Sequence, residues 1–197
     1  MKTFIVITIL IVVVLITTQS FISKITSKTE SHAYEVIKVY DQFEIRKYQP
    51  ALFSGVKLAS KSYKETSSMG FRVLAGYIFG NNNRNQKIAM TTPVAMELGD
   101  TTKMMFMVPK NYDLATLPNP KNKKIVFEKQ EEKIMAAIRF DGWANDEKIE
   151  EYKNILTEEL AKAQLSHNNK FAFLGYNPPY EMTNRRNEVI VELVNYK

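Results

Sequence analysis

Hydrophobic and polar residues alternate along most of the chain after residue 33, which predicts a β-rich domain. Apolar residues at every second position are typical of half-buried strands. The strands predicted in this way are 34–40, 43–48, 51–58, 87–96, 103–108, 125–130, 133–140, 171–176 and 188–194. Two other stretches, 62–79 and 146–166, repeat apolar residues at helical spacing and are predicted to be helices.

The segment KIAMTTPVAM, residues 87–96, is the least regular of these strands. Pro93 lies inside it, and proline has no N–H to donate to a strand ladder. We therefore expect an edge or a bulge at this point. Met90 and Met96 share one face, where core packing is the simplest role for them.

The order of the predicted elements repeats along the chain. Residues 43–108 and 125–194 each follow the pattern ββαββ, and the strand 34–40 precedes the first repeat. Two such halves predict curved antiparallel sheets with two helices on the outside, an α+β arrangement. The length of 197 residues fits one domain.

Composition and charge exclude several kinds of site. The chain has no cysteine, which rules out disulfides, thiolate metal sites and covalently attached c-type haem. The net charge is +6, but the lysines and arginines are dispersed. A nucleic-acid-binding surface usually clusters them, so no nucleic acid partner is expected.

The first residues are strongly apolar. A run from Phe4 to Ile16 follows Lys2 and continues less regularly to Ile22. Residues 1–23 are thus predicted to be a signal peptide or a membrane anchor. A polar linker, 24–33, follows, and the domain spans 34–197. The protein is expected to be membrane-anchored or exported, with the membrane as a partner through the N-terminal segment.

The first predicted helix of the domain carries two apolar stripes. The first stripe suits packing on a sheet and consists of Tyr63, Ser67, Gly70, Leu74 and Ile78. The second lies beside it and consists of Ser68, Phe71, Ala75 and Phe79, with Arg72 on its rim. It indicates either a wide buried face with a snorkelling arginine, or a groove for a flat apolar ligand that carries carboxylates.

The segment GYNPPYEMTNRRNEV, residues 175–189, is the second candidate region. Tyr176, Tyr180 and Arg185 could form an anion contact there. The alternative is a structural turn in which one arginine pairs with a carboxylate such as Glu181 or Glu188.

No catalytic motif is present. The sequence contains no G-x-S-x-G elbow, no P-loop and no H-E-x-x-H. Of its two histidines, His32 lies in the linker and His167 follows the second predicted helix of the domain. The protein is therefore not expected to be an enzyme.

Five sequence features together resemble the SOUL haem-binding protein family. They are GFRVLAGYIFGNN (70–82), KIAMTTPVAM (87–96), MVP (107–109), FDGW (140–143) and GYNPP…RRNEV (175–189), and the resemblance extends over residues 34–193. It implies a distorted antiparallel β-barrel with two outer helices, built as a pseudo-twofold ββαββ repeat. It also implies non-enzymatic binding of haem or another porphyrin.

The resemblance implies binding residues on the first helix of the domain and in the loop before the last strand. The cofactor-binding residues expected from it and from the second stripe are Ser68, Phe71, Arg72, Ala75, Phe79, Tyr176, Tyr180 and Arg185. Ser68 and Gly76 stand where some members have basic residues, and Glu181 where some have a cation. Lys47 replaces a histidine that some members carry, so the axial ligand stays open among Met69, Tyr77, Tyr176 or none.

Two alternative functions remain. The duplicated fold is also similar to effector-binding domains of the gyrase-inhibitor type, which suggests a small-molecule effector-binding or hydrolase domain. A buried glutamate at the mouth of the same groove would favour that alternative. The other is an interaction protein that uses its basic surface at a membrane.

Overall fold

The computed structural model describes residues 2–26, 29–60, 62–99 and 101–196, which form three helices and nine strands. In chain order they are α1 (Lys2–Thr26), β1 (Tyr34–Val39), β2 (Phe43–Tyr48), β3 (Ala51–Leu58), α2 (Tyr63–Ile78), β4 (Val94–Glu97), β5 (Thr102–Met107), β6 (Ile125–Gln130), β7 (Lys133–Asp141), α3 (Asp146–Lys162), β8 (His167–Gly175) and β9 (Arg186–Leu193).

All nine strands join one antiparallel sheet in the order β1-β2-β7-β9-β8-β4-β5-β3-β6, which curls into a half-barrel. Apart from β1 at one edge, the order is symmetric about the β4–β8 pair. The first strand of each repeat crosses over to the other repeat, so β2 pairs with β7 and β6 with β3. This arrangement confirms the predicted α+β fold and its pseudo-twofold ββαββ repeat.

The two faces of the sheet have different cores. The helices α2 and α3 cover the outer face, where the side chains of Leu74, Leu156 and Val189 are fully buried. A smaller apolar cluster lies on the inner face, around Met105 and Ile190. Residues of one strand alternate between these two cores, as period-two side-chain geometry requires.

The segment 87–96 is shorter as a strand than the sequence predicted. Only Val94–Glu97 forms β4, and Pro93 lies just before it, after a cis Thr92–Pro93 peptide. β4 has partners on both sides, so the residue that lacks an N–H falls outside the ladder. Met96 is buried in the outer core and Met90 packs against it, which confirms their structural role.

The predicted localisation, membrane-anchored or exported, is contradicted by the structure. Within the parts of the chain that the structure describes, no helix is both long and apolar enough to cross a membrane. The apolar run of α1 is interrupted by Thr8 and ends at polar Thr17, Thr18 and Gln19, short of the about 20 residues that a spanning helix needs. Residues 27 and 28 of the predicted linker lie outside the described residues.

The two outer helices are tied together at their N-termini. Asn145 caps α3 by accepting a hydrogen bond from the amide of Lys148. The next residue, Asp146, reaches the start of α2 instead. Its carboxylate accepts hydrogen bonds from Ser62 Oγ at 3.0 Å, Tyr63 N at 2.5 Å and Lys64 N at 3.2 Å. One carboxylate therefore satisfies donors of the neighbouring helix that have no partner within it.

Replacing Asp146 with alanine is expected to lower the free energy of unfolding by about 1–2 kcal/mol, because capping contacts of this kind contribute that much. Urea unfolding measures the loss. Glu147→Ala is the matched control, since it removes a carboxylate from the same first turn of α3 without touching α2. Equal losses in the two variants would contradict the proposed link between the helices.

Candidate functional site

Helix α2 has a buried side and an open side. The predicted packing stripe faces the sheet, and its glycine is needed there, because a Cβ at Gly70 would lie 2.8 Å from Leu58 Cδ1 and 3.0 Å from Met104 Sδ. The helix begins at the Ser62 cap and ends before Gly80, which has a positive φ of 111°. The Ser62 cap and Gly80 thus define the two ends of α2, which packs on strands β3 and β5.

The second stripe is only partly buried. Ala75 is buried, and the ring of Phe71 is half-buried against Phe106, with ring centroids 5.4 Å apart. Ser68 is exposed, and Phe79 leaves 60% of its surface in water. The stripe is therefore not simply the margin of a wide buried face; it leaves the core and reaches solvent.

The open side of α2 continues from this stripe around the helix. Met69 is 59% exposed, and nothing lies within 4 Å of where a Cβ of Gly76 would be. Arg72 is exposed among these residues, and its guanidinium forms no hydrogen bond or ion pair with any other described residue. We call this surface, made of Ser68, Met69, Phe71, Arg72, Ala75, Gly76 and Phe79, the α2 groove. It combines exposed apolar area, a notch and an uncompensated positive charge.

Arg185 has a structural role in the loop before β9. Its Nη1 donates to the carbonyl oxygens of Pro178 at 2.9 Å and Glu181 at 2.7 Å, and its guanidinium stacks on Trp143 at 4.1 Å. Burial lowers the pKa of Arg185. Because both of its Nη groups donate to loop carbonyls, Arg185 organises the loop.

The loop lies beside the N-terminal end of α2. Burial raises the pKa of the Tyr63 phenol, and the nearby charge of Arg185 acts in the opposite direction. Tyr180 is exposed in this loop, where its carbonyl accepts a hydrogen bond from Gln19 of α1. Phe79 follows the last turn of α2, about 24 Å along a 16-residue helix. Arg185 is thus near the first turn of α2, at the end of the helix opposite to Phe79.

Tyr176 is separated from the other predicted site residues. It continues the line of β8, and its hydroxyl donates to Glu188 Oε2 at 2.9 Å on the inner face of the sheet. Burial and the charge of Glu188 raise its pKa well above the usual value. The structure therefore brings together Ser68, Phe71, Arg72, Ala75 and Phe79 on α2. It places Arg185 near Tyr63 at the start of that helix, Tyr180 in the same loop as Arg185, and Tyr176 on the inner face of the sheet.

A buried ionic cluster surrounds Glu188 on the inner face. Arg46 of β2 donates to its carboxylate at 2.7 and 3.2 Å, and Arg186 donates at 2.7 and 2.9 Å. Burial alone raises the pKa of Glu188, but the bonds and charges of the two arginines outweigh it and hold the pKa below the ordinary value. The pairing of an arginine of the 175–189 segment with Glu188 confirms the structural interpretation of that segment.

Sequence reasoning missed the role of Arg46, which lies 142 residues from Glu188 in the chain. The only available signal was the strand period, which puts Arg46 on the opposite face from the buried Ile45. A charged residue on a strand that is buried on both sides needs a partner, but the sequence alone does not say which.

Two glutamates are fully buried, and both have hydrogen-bond partners. Glu188 is saturated by two arginines and a tyrosine, so it is an ionised structural group with no capacity left to accept a proton from a substrate. Glu181 accepts a hydrogen bond from the side chain of Asn177 at 2.9 Å. The feature expected of a hydrolase or effector-binding site, a buried glutamate open to a ligand, is not provided by Glu188.

Comparison with solved structures shows where else this fold occurs. The C-terminal domain of EcmrR superposes with a TM-score of 0.62 at 8% identity, over 79% of this chain and 98% of that one. A hydrolase from Listeria innocua superposes with a TM-score of 0.58 at 8% identity, over 80% of this chain and 94% of that one. At this identity the likeness shows the fold alone.

Comparison of sequences gives the family. Heme-binding protein 1 of Xenopus laevis is 28% identical over 155 residues, covering 75% of this chain and 81% of that protein. Heme-binding protein 2 of Mus musculus is 29% identical over 159 residues, covering 75% and 76%. The family model described as SOUL heme-binding protein matches residues 29–192, which include both ββαββ repeats. The chain belongs to the SOUL heme-binding protein family.

Proposed function

We propose that this protein binds haem or a related tetrapyrrole without catalysing a reaction, and that the α2 groove is the binding surface. The observation that carries the proposal is the exposed apolar area of Met69 and Phe79 next to the unpaired cation of Arg72. Haem supplies a flat apolar ring with two propionates at one edge. Its ring would cover the apolar area, and a propionate would neutralise Arg72.

The open surface at Gly76 also supports the binding of a flat ligand. The notch at Gly76 lets a flat ring approach the helix backbone, because nothing lies within 4 Å of the position of its missing Cβ. Ala75 and the half-buried Phe71 form a firm floor that is already packed before any ligand arrives. A surface that is ordered in advance loses less conformational entropy on binding.

Two of the three side chains considered as iron ligands are already engaged within the protein. Tyr77 is buried and its hydroxyl donates to the carbonyl of Pro118, and Tyr176 is committed to Glu188. Of the three side chains considered, Met69 is the one that reaches the open side of α2. We propose that binding rests on apolar and electrostatic contact, with Met69 as an optional weak ligand.

The absence of a catalytic reaction is part of this proposal. Both relatives described above are named as heme-binding proteins. The saturated carboxylate of Glu188, the most deeply buried acid of the sheet, has no free position for acid–base chemistry. The similarity of the fold to that of a hydrolase is not an argument for catalysis, since one fold can host many unrelated functions.

Titration of the full chain with haemin, followed at the Soret band, tests the proposal. We expect a saturable shift in the micromolar range and about tenfold weaker binding in Arg72→Glu and in Phe79→Asp, because each change removes or opposes one class of contact. Both side chains are exposed, so these variants should fold, whereas Phe71→Asp would also disturb the contact with Phe106.

Lys170→Glu is the matched control for charge reversal, since Lys170 is exposed on β8 and its side chain has no partner among the described residues. It should bind haemin like the parent chain. A parent chain with no saturable shift, or groove variants that bind as tightly as Lys170→Glu, would rule the proposal out.

A further inference from the structure

A second concave site lies away from the α2 groove. A cavity of about 500 Å³ opens where the turn between β2 and β3 meets the end of β5 and the segment that follows it. None of the residues of the α2 groove lines it. Its apolar wall includes Pro50, Leu52, Met107, Val108, Pro109 and Leu114. The volume is in the range typical of small-molecule pockets.

His32 contributes an oriented polar side chain to the lining of this cavity. Its Nε2 lies 2.7 Å from the carbonyl oxygen of Gln49, to which it donates. Its ring packs against Tyr48 and Phe53, with centroids 4.9 and 5.4 Å away. Burial lowers the pKa of His32, and the charge of Lys110 lowers it further. The imidazole is therefore held neutral and oriented beside a lysine.

Lys110 provides an uncompensated positive charge at the same wall. Its backbone amide donates to Glu30 Oε1 at 3.0 Å, which anchors the residue. Its ammonium group has no ion-pair partner within residues 29–60, 62–99 and 101–196. The other two charged lining residues are already occupied, because Lys129 pairs with Glu131 and Asp113 accepts bonds from the turn formed with Thr116.

We propose that this cavity binds a small amphipathic organic anion, with its carboxylate on Lys110 beside His32 and its apolar body against Leu52, Met107 and Leu114. The cation of Lys110, which has no ion-pair partner, favours an anion, and the apolar wall favours a hydrocarbon or aromatic body. The volume corresponds to about 17 water-sized groups, which is enough for a medium-chain fatty acid. The proposal is independent of haem binding at α2.

Calorimetric titration of the full chain with sodium decanoate, below its micelle concentration, tests this site. We expect saturable binding of one decanoate per chain, and weaker binding of decyltrimethylammonium, which has the same chain length and the opposite charge. Lys110→Glu should weaken decanoate binding about tenfold, as loss of a charge-assisted contact predicts. Lys110→Gln should give an intermediate loss, and Leu114→Trp should block the cavity.

Lys57→Glu is the control, because Lys57 is an exposed lysine of the same strand β3, about 17 Å along the strand from Leu52. It should bind decanoate like the parent chain. Haemin affinity should stay unchanged in Lys110→Glu, which separates this site from the α2 groove. Absence of saturable decanoate binding, equal binding of the two ions, or no effect of Lys110→Glu and Lys110→Gln would each overturn the proposal.

Discussion

Glu188→Ala is expected to lower the free energy of unfolding by about 3–5 kcal/mol, the cost of leaving a buried charge without its partner. Arg46 is 4% exposed and would lose its bidentate contact with the carboxylate. Arg186 would lose the same partner. The cluster joins β2, β9 and the end of β8 on the inner face, so its loss weakens three strands at once.

Urea unfolding of the variant and the parent chain measures this effect. Glu192→Ala is the matched control on the same strand, because Glu192 forms a half-exposed ion pair with Lys133 at 3.1 Å. Such pairs contribute about 0–1 kcal/mol. A loss for Glu188→Ala no larger than that for Glu192→Ala would show that the buried cluster does not hold the sheet together.

The same carboxylate should make the protein sensitive to acid. Because the pKa of Glu188 is lowered in the folded state, the unfolded chain binds this proton more readily. The stabilisation is complete above the ordinary glutamate pKa of about 4.3 and is lost as the pH falls through the lower folded-state pKa. Glu188→Gln removes this contribution, so its stability should fall less between pH 7 and acidic pH than that of the parent chain.

Leu74→Ala is expected to cost about 2–5 kcal/mol of stability, because the leucine is fully buried where α2 meets the sheet. Met69→Ala, on the open side of the same helix, should change stability by less than about 0.5 kcal/mol. Haemin binding should respond in the opposite order. Met69→Ala should weaken it, while Leu74→Ala, assayed under conditions where it is folded, should leave it nearly unchanged.

This pair of variants tests the orientation of α2 directly. Similar stability losses in the two would mean that the helix is not rotated as described. Unchanged haemin binding in Met69→Ala would show that Met69 does not contact the bound haem.

The fold was predictable because its signals are local. Period-two patterns marked the strands, and Gly80 marked the end of α2 with the positive φ that glycine allows. The repeat of ββαββ followed from element order. Pro93 showed a limit of such patterns, because alternation before it extended a strand that the structure begins only at Val94.

The site was predictable only where a single helix determines it. The positions 68, 71, 72, 75 and 79 fall on one side of α2 because the helical period fixes their directions. Tyr176 was grouped with them because the family resemblance implies binding residues in the loop before the last strand, yet its phenol lies on the inner face and donates to Glu188. The Arg46–Glu188 pair and the cavity at Lys110 depend on contacts between distant segments, which no local period encodes.

The predicted membrane localisation failed for a related reason. Apolar composition from Phe4 onward suggested a spanning segment, and the polar residues at its end received too little weight. In the structure Gln19 is hydrogen-bonded to the backbone of Tyr180 and Met182, so the end of α1 contacts the loop before β9.

Paramagnetic broadening of backbone amide NMR signals by bound ferric haem tests the central claim most directly, with a diamagnetic zinc porphyrin as the reference. The α2 groove predicts that the amide signals of residues 68–79 disappear first and that those of residues 108–115 at the cavity persist. Broadening centred on the inner face, on the cavity, or evenly over the whole chain would contradict haem binding along α2.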